Sequence, residues 1–196
     1  LTALGTGPNM FVVKLDPQGK VLWAEQSDGP ASGRSVDIDG AGNILVAGAV
    51  SVAVKLGSYN VDPVNGTLFV TRLLPSGGFS WVKQQKATTG QSLGGLAVQS
   101  SGAVFLATSY SGVASVGGKS TVTVGSGLLV AKLGSNGVAI WLAAVPSKVM
   151  PDSLAVDDAS GRLVVGGNYD GPGETIAGTA IPAADEDGVI LQFGST

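Results

Sequence analysis

The sequence predicts an all-β protein, and three observations predict it. The phrase Phe11-Val12-Val13-Lys14-Leu15 returns as Phe69-Val70-Thr71-Arg72-Leu73, as Leu129-Val130-Ala131-Lys132-Leu133 and as Val189-Ile190-Leu191-Gln192-Phe193. A spacing of roughly 60 residues between such copies signals a repeat architecture. Every tryptophan of the chain, Trp23, Trp81 and Trp141, falls at one position of that repeat. Between these markers no useful length of chain carries the period and capping of a helix, whereas apolar runs of strand length recur with turn signals between them.

Each unit reads the same way from its start. The opening strand is followed by a glycine-containing turn and a second strand that carries the tryptophan. A second hairpin signal follows, with apolar runs around a short polar or glycine turn. It spans Arg34 to Gly48 in the first unit, Leu96 to Ala107 in the second and Leu154 to Gly166 in the third. A less regular stretch closes each unit, about 49–68, 108–128 and 167–188, where Gly, Thr and Pro surround short β-branched runs such as Thr121-Val122-Thr123-Val124. This stretch reads as a small extra hairpin or strand-like connection. The chain is thus one repeat domain over 1–196: the tail of a preceding unit at 1–10, units at 11–68, 69–128 and 129–188, and the opening strand of a further unit at 189–196.

Composition bounds the chemistry. Of 196 residues, 44% are hydrophobic, enough for a core, and only 13% are charged, about half the roughly 25% of an ordinary domain. The absence of both His and Cys removes His-based nucleophile systems, disulfides and nearly all zinc, haem and iron–sulfur ligation. A formal net charge of -3 leaves no basic footprint for nucleic acid. No apolar run reaches the length of a membrane-spanning helix.

Runs such as Val21-Leu22-Trp23-Ala24 and Ile44-Leu45-Val46-Ala47 are apolar on both faces, which suits sheets lying between neighbouring sheets. Four-stranded blades stacked face to face around an axis satisfy that pattern. Here the residues resemble the bacterial β-propeller repeat family called SBBP, whose phrase has the form F-V-x-K-L-x-x-x-G-x-x-x-W followed by a V-D-x-x-G-N-hydrophobic-V-x-G hairpin. Phe11 through Trp23 with Val36 through Gly48 matches it well. The other two units match more loosely, Gln99 standing where Asp belongs. The resemblance covers nearly the whole chain. It implies a propeller-like array in secreted or surface-exposed bacterial proteins, with no shared catalytic residue.

Closed propellers need about 4 to 8 blades, and this chain holds three units and the start of a fourth, an incomplete ring. Two open faces would then seek partners: other copies of the chain, or missing blades of a longer parent. A β-solenoid or prism built from the same hairpins is the alternative fold.

Phe11, Trp23, Phe69, Trp81, Leu129 and Trp141 are the expected blade anchors. Each tryptophan has an apolar neighbourhood that favours packing over sugar stacking. Lys14, Arg72 and Lys132 recur at one repeat position, and would either converge as an anion or acidic-sugar site or lay their stems on apolar neighbours. Tyr110, Tyr169 and Asp170 lie beside glycines just after a strand, which places them in connections as ligand candidates. Asp37, Asp39 and Asn43 resemble a calcium loop, yet form an ordinary Asx and Gly turn without metal; calcium is the sole cofactor candidate. Asp185-Glu186-Asp187 reads as a solvated turn. Gly118-Lys119-Ser120 lacks the upstream glycine spacing of a phosphate loop, and Ser80 and Lys83 point oppositely on a strand. Residues 69–128 hold four bases and no acid, whereas 129–188 hold eight acids and three bases, so complementary patches would favour oriented self-association. The expected function is a non-catalytic extracellular scaffold or adhesion module. The alternative is a glycan-binding lectin with sites at blade junctions.

Overall fold

The computed structural model describes residues 7–63, 67–176, 179–182 and 184–194. The first six residues of the expected leading tail and the last two residues of the chain lie outside them, as do the side chains of Asp185, Glu186 and Asp187. Among the described residues the chain forms fifteen strands and no helix. They are β1 (Asn9–Leu15), β2 (Val21–Ile38), β3 (Ile44–Val50), β4 (Val54–Leu56), β5 (Tyr59–Val61), β6 (Leu68–Leu73), β7 (Phe79–Val98) and β8 (Val104–Val116). There follow β9 (Lys119–Leu133), β10 (Ala139–Pro146), β11 (Val149–Val156), β12 (Leu163–Gly171), β13 (Glu174–Ile176), β14 (Thr179–Ile181) and β15 (Ala184–Phe193). The all-β class is therefore observed.

Pairing is antiparallel throughout and falls into four consecutive sheet segments. Segment I is β1 with the first half of β2. Segment II joins the second half of β2 to β3, β6 and the first half of β7. Segment III joins the second half of β7 to β8, β9 and β10. Segment IV is a separate sheet of β11, β12 and β15. Because β2 and β7 each serve two segments, the first ten-stranded sheet runs on without a break and curls as a half-barrel, so that its own segments face each other.

Local chemistry explains the turns. After β1, β6 and β9 the chain reverses in one geometry. The first residue's N–H donates to the carbonyl four residues on, and a glycine N–H donates back, as in Leu74 N–H to Gly78 O and Gly77 N–H to Leu74 O, both 3.0 Å. Asp16 with Gly19 and Gly134 with Gly137 do the same. The glycines Gly19, Gly77 and Gly137 sit at φ of 81°, 89° and 75°, a region costly for a residue with a Cβ. The turns from β2 to β3 and from β7 to β8 share this design through Asp39 with Gly42 and Gln99 with Gly102. The turn from β11 to β12 is one residue longer. Each irregular stretch of the sequence becomes a small hairpin: β4–β5, the distal parts of β8 and β9, and β13–β14.

The core lies between the segments. Met10, Val12 and Trp23 of segment I pack on Ile44, Val46, Phe69 and Leu73 of segment II. The other face of II, through Leu45, Val70 and Trp81, meets Leu96, Val104, Leu106 and Leu133 of III. The far face of III, through Phe105, Val130 and Trp141, meets Leu163, Val165, Val189 and Leu191 of IV. Adjacent residues of β3 are buried on opposite faces, which is why its sequence is apolar without alternation.

Three expectations are corrected here. Tyr110 and Tyr169 lie within β8 and β12, not in connections, and both are fully buried because these strands continue outward past the point where glycine suggested their end. Asp170 is exposed, on β12 as well. Phe11 is 65% exposed while Phe69, at the same repeat position, is 2% exposed. No described sheet covers the outer face of β1, so Phe11 anchors no interface within the chain.

Candidate functional site

Antiparallel neighbours directly opposite one another share a face, and the register sets Lys14 opposite Trp23, Arg72 opposite Trp81 and Lys132 opposite Trp141. Each pair faces the next segment. Lys14 Nζ and Trp23 Nε1 both donate to the carbonyl of Pro75, at 2.9 and 3.0 Å. Arg72 Nη1 and Trp81 Nε1 both donate to the carbonyl of Ser135, at 2.8 and 2.9 Å. Pro75 and Ser135 hold the same place in their turns, and a carbonyl oxygen with two lone pairs accepts both donors. The recurring cation and tryptophan thus form a clasp that ties one segment to a turn of the next. Lys132 instead lies 5.2 Å from the ring centre of Phe105, and Trp141 meets the same ring edge-on at 6.2 Å. Each of the three cations is held by a partner of its own.

A second set of bonds joins the first strands of successive segments. Ser35 Oγ and Asp37 Oδ2 accept the Leu96 and Val98 N–H groups at 3.2 and 2.8 Å, and the Gly40 N–H donates to Ser100 O at 3.0 Å. One segment further on, the Ser100 N–H and Oγ donate to the Asp158 carboxylate at 2.7 and 2.6 Å. Side chains of one segment thereby satisfy edge N–H groups of its neighbour that would otherwise lack a partner.

Asp39 and Asn43 come together as a capped turn, whereas Asp37 stays on β2 with its carboxylate on the Ile38 and Val98 N–H groups. Asp39 Oδ1 accepts the N–H groups of Ala41 and Asn43, and the Asn43 side-chain amide donates to both Asp39 oxygens. Arg72 Nη2 stands 4.0 Å from Asp39 Oδ2. Among the described residues no group of three or more acidic side chains is placed to hold a metal ion. Tyr110 packs within segment III, and Tyr169 packs in the core between segments III and IV. Burial pushes the Tyr110 phenol above its ordinary value, and the Tyr169 hydroxyl accepts the Gly173 N–H at 3.0 Å.

Asp158 is held below the ordinary carboxylate value, first by the Ser100 hydroxyl and then by the Ser100 N–H. A carboxylate with a depressed folded-state pKa stabilises the fold above its unfolded value of about 4, and that contribution disappears as pH falls through the folded value. Asp158→Asn is therefore expected to reduce the loss of stability between pH 5 and pH 2, measured as urea midpoints over roughly that range. An unchanged acid slope would separate Asp158 from this linkage.

Among the described residues no sheet covers either end of the stack. Positions on the face turned toward the next segment are buried in II and III and exposed in IV: Leu45 and Phe105 against Val164, and Val70 and Val130 against Ile190, which is 77% exposed. At the opposite end Phe11, Leu15, Val21 and Leu22 are exposed on segment I. Among the described residues segment I has two strands, and Val36 and Ile38 of segment II are exposed beside it. Between β1 and this uncovered part lies a cleft of about 300 Å³ that includes Phe11, Val13, Arg34, Val36 and Val46. A second hollow, of about 360 Å³, is lined by Lys119, Ser120, Thr121, Ile140, Trp141 and Leu142.

Sequence reasoning singled out both donors of each clasp but missed the acceptors. Pro17, Pro75 and Ser135 share one turn position, but the acceptor is a backbone carbonyl and carries no residue-type signal. Nothing in the sequence marks Ser100 or Asp158 as partners. No protein-family model and no curated protein matches the chain.

Proposed function

We propose that this chain is a non-catalytic scaffold of the β-propeller type, akin to the SBBP repeats of secreted or surface-exposed bacterial proteins, acting through rigid surfaces and self-association at its open faces. In this reading segments II and III are complete blades, and I and IV are parts of further blades in an unclosed ring. The observation that carries the reading is the exposure, at both ends of the stack, of the same apolar positions that are buried wherever two segments meet. Contiguous exposed apolar surface of this kind marks sites of association. The side chains richest in chemistry are engaged in clasps and turns, which suits an architectural role.

A glycan-binding module is the second reading, favoured by the hollow in which half-buried Trp141 lies beside Lys119, Ser120 and Thr121. An aromatic face with hydroxyl and ammonium donors is suited to a sugar ring. A glycan array read together with tryptophan quenching separates the two. The scaffold reading expects no saturable sugar binding. Saturable binding to one sugar class, abolished by Trp141→Ala in a protein that still folds, would replace it with the lectin.

A further inference from the structure

Resting on the scaffold reading, we infer that the partner of the open faces is a second copy of this chain, joined head to tail: the face of segment IV around Ile190 seats on the face of segment I around Phe11. Such a contact would continue the interfaces already inside the molecule. Where II meets III and III meets IV, one surface is always the onward face of the earlier segment and the other the rearward face of the later one. The two exposed ends are one of each kind. Val164 and Ile190 stand where Phe105 and Val130 make the onward half of an interface, and Phe11 stands where Phe69 makes the rearward half.

Polar groups at the two ends agree with this polarity. The turn after β1 carries Pro17 at the place where Pro75 and Ser135 receive their clasps, and the turn itself is closed by the same pair of hydrogen bonds. On segment IV the clasp cation's position is held by Gln192, exposed on the onward face, whose amide can donate to such a carbonyl. Charge is also complementary. The rearward cleft contains Arg34, and Asp152 lies on the onward side, bound by the Asn168 amide at 3.0 Å. A contact between unlike faces is heterologous. It does not end at a dimer but continues to a ring or an open filament.

Light scattering on the 196-residue chain over a concentration series tests this with two substitutions, Phe11→Asp and Ile190→Asp. Both residues are largely exposed, so the variants should fold, as circular dichroism and thermal melting would verify. The wild type is expected to grow beyond a dimer as concentration rises, and each variant alone to remain monomeric. An equimolar mixture is expected to form a one-to-one dimer and stop there, because each variant keeps the face the other has lost. A variant that still dimerises alone, with no new species on mixing, would overturn the head-to-tail polarity while leaving self-association standing. A wild type that stays monomeric throughout would overturn self-association itself and assign these faces to a different partner. In both cases the glycan result remains the separate test of scaffold against lectin.

Discussion

Replacing Trp81 by alanine is expected to lower the free energy of unfolding by about 3–5 kcal/mol, read as a shift in denaturant midpoint. Trp81 is 8% exposed and belongs to the core between segments II and III, with Leu45, Val70, Leu96 and Leu133. Its indole also lies against the turn after β9, where any side chain placed at Gly137 would meet the ring at 3.1 Å. Truncation removes a large apolar surface and leaves a cavity at a junction too well packed to collapse fully. It also takes one donor from the Ser135 carbonyl. Trp81→Phe isolates that bond: it retains most of the packing and is expected to cost an additional hydrogen-bond increment of only about 0.5–1.5 kcal/mol. A Trp81→Ala protein that unfolds at the wild-type midpoint would refute the role of this junction.

Phe105→Ala is expected to have an effect of the same order, about 3–5 kcal/mol. Phe105 is 1% exposed on the onward face of segment III, in the core shared with Leu163, Val165 and Tyr169 of segment IV. Trp141 packs against it edge-on and Lys132 lies over its ring, so the substitution releases two further side chains. Phe105→Leu restores apolar volume and separates the aromatic contribution. The residual loss should be about 1–2 kcal/mol, the sum of an aromatic pair and a partly exposed cation–π contact. Near-ultraviolet circular dichroism should register the freed Trp141 in both variants. Retention of the wild-type spectrum in Phe105→Ala would contradict the assigned contact.

How far the site was legible follows from the range of the forces involved. The clasp donors were visible because recurrence singled out Lys14 and Arg72 together with Trp23 and Trp81, and the strand pairing made them neighbours. Their acceptors were not, since Ser135 lies 63 residues beyond Arg72 and a backbone carbonyl has no side-chain signature. Tyr110 and Tyr169 were misplaced for the opposite reason. Nearby glycines are local turn signals, but β8 pairs with β9 beyond them, through Val113 with Val122 and Ala114 with Thr121, and this long-range pairing carries Tyr110 into the interior.

By itself the sequence determined the all-β class and the glycine turns, because side-chain alternation and the left-handed backbone tolerated by glycine act within a few residues. The tertiary structure decided which faces are covered. Phe11 and Phe69 open nearly identical phrases, yet one is exposed and the other buried. The difference is the presence of a neighbouring sheet. A strand's sequence specifies the apolar surface it presents, whereas burial of that surface requires another surface that arrives from elsewhere in the chain.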